Sequence, residues 1–209
     1  MKILIADDHA IVRAGLKQIL ASIDDMGIIE EAGNGNEVLK KARTEFYDIV
    51  VLDITLPDIN GLDILKQLKV EQPSLHVLIL SVHPEEQYAL RVLKAGASGY
   101  LTKSSAPEEL VKAIKKISSG GKYITESLAD KLAGNLESKF TNLPHESLSD
   151  REFQVMCLIA AGNSCDEIAR KLFISSNTVR THRARILEKM SMTDNSQLIS
   201  YCIKNNLID

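Results

Sequence analysis

Five short runs of aliphatic and β-branched residues, at 3–6, 28–31, 49–52, 77–80 and 99–101, alternate with five stretches whose apolar residues recur at three- and four-residue spacings, at 12–23, 36–45, 62–71, 85–95 and 107–118. The last stretch is representative, with Leu110, Ile114 and Ile117 on one helical face. The strand runs are apolar at nearly every position, as in Ile49-Val50-Val51-Leu52, which suits strands covered on both faces. Strict βα alternation over the first half therefore predicts an α/β fold: a doubly wound, five-stranded parallel sheet with helices on both sides. In such sheets the binding crevice opens at the carboxyl ends of the strands, so those ends are where chemistry is sought.

After residue 119 the rhythm stops. Leu128, Leu132 and Leu136 repeat at four-residue spacing before the polar, proline-containing stretch 141–146, which reads as a partly helical linker over 120–146. From 147 to 209 every segment reads as helix. Two capping boxes, Ser149 with Glu152 and Ser164 with Glu167, mark helix starts. An α/β domain at 1–119, the linker and a small all-α domain at 147–209 make up the expected organisation.

Hydrophobic residues at 44% and charged residues at 25% are those of a globular chain with real cores, which excludes global disorder. Cys157, Cys165 and Cys202 form no CxxC pair, metal spacing or complete disulfide framework, so reduced thiols are expected. The amino terminus places Asp7 and Asp8 directly after a short apolar run, unlike a signal peptide, and no apolar stretch reaches spanning length. A cytoplasmic protein with no membrane partner is expected.

Three carboxylates fall at strand ends: Asp7 and Asp8 after the first, Asp53 at the third. Neighbouring strand ends converge, and the resulting electronegative pocket calls for a cation. Hard oxygen ligands suit Mg2+. Lys103, just past the fifth strand, and Ser81, ending the fourth, add a positive charge and a hydroxyl. Singly, each has a plainer explanation: a solvated turn for Asp7-Asp8, a helix cap for Asp53 or Ser81, a surface lysine for Lys103. Together they resemble the pocket of two-component receiver domains, which have flavodoxin-like sheets. The resemblance implies that Asp53 is the phosphoacceptor, that Asp7, Asp8, Asp53 and the Thr55 backbone carbonyl hold Mg2+, and that a sensor histidine kinase supplies the phosphoryl group. It further implies that Lys103 and Ser81 assist the transfer, and that Ser81 and Tyr100 act as a switch pair, Tyr100 moving inward on phosphorylation. Thr55 and His83 occupy positions that tune phosphate lifetime in that family. Receivers often carry proline after the lysine, in a cis peptide; here Ser104 follows Lys103.

In the second half, residues 166–172 read as a short helix, 173–175 as a tight connection, and Ser175 as the N-cap of a helix reaching about Met190. Val179, Ile186 and Met190 share its inner face. Arg180, Arg183, Arg185 and Lys189 gather positive charge on it, within a chain of net charge -3. The stretch LSDREFQVMCLIAAGNSCDEIARKLFISSNTVRTHRARILEKM resembles LuxR-type helix-turn-helix domains. Arg180, Thr181 and Ala184 fall at positions that family uses for bases, while Thr178, Arg183 and Arg185 suit phosphates. His182 lines up with Val179 and reads as a half-buried structural histidine. A final helix over 197–205 packs on the core, and relatives use it for dimerisation. Receiver and LuxR-type domain together imply a response regulator of NarL/FixJ type, not an enzyme, in which phosphorylation of Asp53 controls binding of a homodimer to double-stranded DNA. An aspartate-based phosphatase would share Asp53 and Mg2+ but has no use for the basic helical domain.

Overall fold

The structure, a computed structural model, describes residues 1–21, 27–83, 85–125, 128–129, 143–205 and 207–208, with only the backbone of Glu86 and Gln87. It divides into two compact units, 1–129 and 130–209. Leu132 and Leu136 of the expected linker, and the last two residues of the stretch 12–23, lie outside the described residues.

In the first unit, strands β1 (Lys2–Ala6), β2 (Ile28–Ala32), β3 (Ile49–Asp53), β4 (His76–Ser81) and β5 (Gly99–Thr102) alternate with helices α1 (Ala10–Leu20), α2 (Gly35–Thr44), α3 (Gly61–Glu71), α4 (Glu85–Lys94) and α5 (Ala106–Ser118). All pairings are parallel, in the order β2-β1-β3-β4-β5. The doubly wound sheet expected from the alternation is thus found. Inward residues alternate between its faces. Ile3, Ile5, Val51, Leu78 and Leu80 pack with Leu16 and Leu20 of α1 and with Leu110, Ile114 and Ile117 of α5. Leu4, Val50, Leu52 and Ile79 point to the other face and are fully buried, as are Val38 of α2, Leu65 of α3 and Val92 of α4.

Register decides where the chemistry sits. Ala6 pairs with Leu52, Asp53 with Leu80, and Ser81 with Thr102, so residues 7, 53, 81 and 103 emerge at one level at the same sheet end. The order reverses between β1 and β3, and there the helices diverge and leave a crevice. The opposite end is tied by charge. Lys2 Nζ pairs with Glu30 at 2.9 Å and with Glu45, and Glu30 also accepts from Lys41 at 3.1 Å and from the Tyr47 hydroxyl at 2.9 Å. Hydrogen bonds from Lys2, Lys41 and Tyr47 hold the Glu30 carboxyl down to about 2.

Beyond residue 119 the chain stays on the first unit. The Tyr123 N–H donates to Ser98 O at 2.8 Å, and Tyr123 forms a parallel bridge with Gly99 at the β5 edge.

The second unit contains a 3-10 turn (Pro144–Ser147) and helices α6 (Asp150–Ala160), α7 (Cys165–Lys171), α8 (Ser176–Lys189) and α9 (Asn195–Lys204). Both capping boxes form, Ser149 with Glu152 and Ser164 with Glu167. Phe153, Met156, Ile168, Val179, Ile186, Leu198 and Cys202 make the core. Phe173 turns the chain between α7 and α8 with a φ of 52°.

Candidate functional site

The crevice at the β1/β3 switch point gathers the residues the strand ends promised. Asp7 and Asp53 are buried, and Lys103 reaches from the end of β5 to place Nζ 2.7 Å from Asp53 Oδ2 and 2.6 Å from Asp7 Oδ2. Lys103 therefore lies between the two acids. The β3–α3 loop shapes the Asp53 side: the Thr55 N–H donates to Asp53 Oδ1 at 2.9 Å, and the Gly61 N–H donates to Ile54 O at 2.9 Å. Gly61 has to be glycine, because a Cβ there would lie 2.5 Å from Asp53 O and 2.6 Å from the Ile54 Cα.

Burial pushes the Asp53 carboxyl up to about 6, and the Lys103 charge and the hydrogen bonds from Lys103 and Thr55 limit that rise. Burial works against the Lys103 ammonium, but the Asp53 and Asp7 carboxylates prevail and raise its pKa.

Two residues missed by the sequence reading complete the pocket. His9 donates its N–H to Asp7 Oδ1 at 2.8 Å, and its ring approaches Asp8 Oδ1 at 2.7 Å; ligand atoms of Asp7, Asp8 and His9 lie within 4.8 Å of one another. Arg13 donates to Asp7 O at 2.7 Å, fixing the turn. Only adjacency to Asp7-Asp8 marks His9 in the sequence, and nothing marks Arg13. Asp7 Oδ2 and Asp8 Oδ1 are buried, and the approaches of Lys103 and His9 to them lack hydrogen-bond direction. Buried hard oxygens, each with lone pairs beyond the one facing its ion-pair partner, fit a small divalent cation.

Ser81 Oγ accepts the His83 N–H at 3.1 Å, and the Tyr100 hydroxyl donates to His83 O at 2.7 Å, so both expected switch residues hold the backbone of one residue. Tyr100 is 1% exposed and already inside. The peptide after Lys103 is trans, as are all others described.

In the second unit Ser175 caps α8 by accepting the Thr178 N–H at 3.0 Å, while Val179 and Ile186 face the core. Thr178, Arg180, Thr181, Ala184 and Arg185 are exposed. Arg183 is half-buried and donates to Asn195 Oδ1 at 2.7 Å, and Lys189 pairs with Glu152 at 2.7 Å. The run of cations thus divides: Arg180 and Arg185 stand outward, while Arg183 and Lys189 also brace α9 and α6. Asn177 was not foreseen; it accepts from Arg180 at 2.9 Å through its side chain and from the Thr181 hydroxyl at 3.0 Å through its carbonyl. His182 is half-buried, its Nδ1 has no hydrogen-bond partner among the described residues, and burial, then Arg151 and Arg185, lower its pKa.

Residues 3–115 match the response regulator receiver domain family, and residues 146–202 match the luxR family of bacterial regulatory proteins. The response regulator GacA of Pseudomonas aeruginosa is 35% identical over 100% of this chain and 98% of its own. The oxygen regulatory protein NreC of Staphylococcus carnosus is 36% identical over 100% of both chains. RcsB from Salmonella enterica serovar Typhimurium, solved bound to promoter rprA with the phosphomimetic BeF3-, shares the fold with a TM-score of 0.66 at 24% identity, covering 96% of this chain and 98% of that one.

Fold, pocket and basic helix define a class: two-component response regulators with a DNA-binding output domain. The chain belongs to the receiver and LuxR-type family of NarL/FixJ regulators. Among the described residues, no helix is long and apolar enough to cross a membrane.

Proposed function

We propose that Asp53 accepts a phosphoryl group from a sensor histidine kinase and that its phosphorylation controls binding of a homodimer to double-stranded DNA through α8. The observation that carries this reading is Lys103, set between two buried carboxylates at 2.6 and 2.7 Å at a sheet crevice. In the transfer, an Asp53 oxygen forms the new bond to phosphorus as the bond from phosphorus to the donor's histidine nitrogen breaks. Lys103 leaves its pairing with Asp53 to neutralise the phosphoryl oxygens, and the Thr55 N–H keeps the acceptor carboxylate oriented. Asp7, Asp8, Asp53 and the Thr55 carbonyl would hold Mg2+, with His9 as a neighbour; when bound, it supplies charge neutralisation at the same oxygens. Ser81 turns toward the new phosphoryl group. Because Tyr100 is already inside, the remaining change falls on the Ser81 hydrogen bond to His83.

On the DNA side, Arg180, Thr181 and Ala184 read base edges, and Thr178 and Arg185 bind phosphates, with Arg183 reaching a phosphate from its Asn195 anchor. Pairing two copies on two half-sites raises effective affinity. Residues 1–119 form the receiver, 120–146 the connection and 147–209 the output domain, acting in the cytoplasm as a regulator of transcription.

The test selects DNA from a random pool with the full chain, with and without acetyl phosphate and magnesium, and with Asp53→Ala as control. A two-fold symmetric site enriched only when Asp53 is present and phosphorylated is the expected outcome. Equal enrichment in every arm would sink the coupling, and no enrichment would sink the DNA-binding role.

A further inference from the structure

The chain leaving α5 does not run free of the receiver. Tyr123 is buried, its N–H is donated to Ser98 O at 2.8 Å, its hydroxyl donates to Glu109 of α5, and it bridges Gly99 at the sheet edge. A Cβ at Gly99 would meet Tyr123 O at 2.7 Å, so the two backbones are as close as glycine allows. Two residues on, the Thr125 hydroxyl donates to Glu85 Oε2 at 2.5 Å, and Leu128 is 5% exposed. Residues 121–125 therefore form a strap along the β5 edge, tied at its far end to the first residue of α4.

That tie lies beside the expected switch. His83, whose N–H is held by Ser81 and whose carbonyl is held by Tyr100, precedes Glu85 by two residues. Thr125 is also the only donor to Glu85 among the described residues' hydrogen bonds.

We infer that the Glu85–Thr125 hydrogen bond is the output coupling of the receiver: it converts a shift of the β4–α4 loop into release of the strap, and so sets the freedom of the connection to the DNA-binding domain. This rests on the phosphorylation reading above and names where its signal leaves the first domain. When Ser81 turns to the phosphoryl group, the His83 backbone loses that acceptor, the start of α4 moves, and Thr125 is let go. The chain beyond Tyr123 then loosens while the sheet stays intact.

The bond is cut from either side in the full-length protein, by Thr125→Val and by Glu85→Leu, alone and combined. DNA affinity is measured with and without acetyl phosphate plus magnesium, alongside phosphoryl incorporation. Incorporation is expected to match wild type. The ratio of phosphorylated to unphosphorylated affinity is expected to fall at least about fivefold in each single variant, within the usual range of coupling between sites. The double variant should lose no more than either single, and Thr125→Ser should restore the response. Single variants that respond like wild type, or losses that add in the double, overturn the inference while leaving the phosphorylation reading in place. A wild-type protein whose DNA affinity ignores phosphorylation overturns both.

Discussion

Phe173 holds a left-handed backbone, φ 52°, with 61% of its surface exposed. An L-residue with a bulky side chain pays about 1–2 kcal/mol for that conformation, and little burial offsets it here. Phe173→Asn, which tolerates the left-handed region, is expected to raise the unfolding free energy of the second domain by about 1 kcal/mol, read from denaturant unfolding. Other single residues show why a sequence gives away some sites and hides others. Asp7, Asp53, Ser81 and Lys103 were legible because each follows or closes a strand whose end is readable. Asp58 was not. It accepts the Gly35 and Asn36 N–H groups at 2.7 and 2.9 Å, capping α2 from 22 residues or more away, and no local spacing announces such a partner. Arg183 and Lys189 were readable as cations, but not as braces, since Asn195 and Glu152 lie on other helices.

At the scale of elements, β3 to α3 is the connection that positions Asp53. With Asp53 O 2.5 Å from where a Gly61 Cβ would sit, Gly61→Ala forces the start of α3 away from the strand end. The expected result is a loss of about 1–3 kcal/mol in stability, the usual cost of overpacking, with a larger proportional loss of phosphoryl incorporation at Asp53. Thermal unfolding and acetyl phosphate labelling of the same variant separate the two. The strands were legible because parallel strands buried on both faces are almost unbroken apolar runs, and their ends fell within a residue of the expected bounds. Helix starts were less so. Helix α1 begins at Ala10, behind a His9 that makes no side-chain cap, so periodicity alone set the expected start two residues late. The last helix begins at Asn195, two residues before the start that periodicity gives, because Asp194 accepts the Ser196 and Gln197 N–H groups.

Taken as a whole, the chain carries a net charge of -3 yet must approach a polyanion, so the outward cations of α8 work against the general field. Binding to DNA should fall steeply with salt, and Arg185→Ala should lower the slope of log affinity against log salt by about one while leaving sequence preference unchanged. A titration series from low to physiological salt measures it; an unchanged slope would take Arg185 off the phosphate backbone. The first domain, meanwhile, is built with unequal ends. Where strands β1 and β3 begin, Lys2, Glu30, Lys41, Glu45 and Tyr47 rivet strand to strand and strand to helix. Where the same strands end lies the crevice, with the His83 clamp just past β4 and the strap running beside β5. A sheet clamped in this way is a cantilever in design: the ties stand at one end, and on the inference drawn above a small displacement at the free tip is passed to the strap instead of being spent in bending the whole.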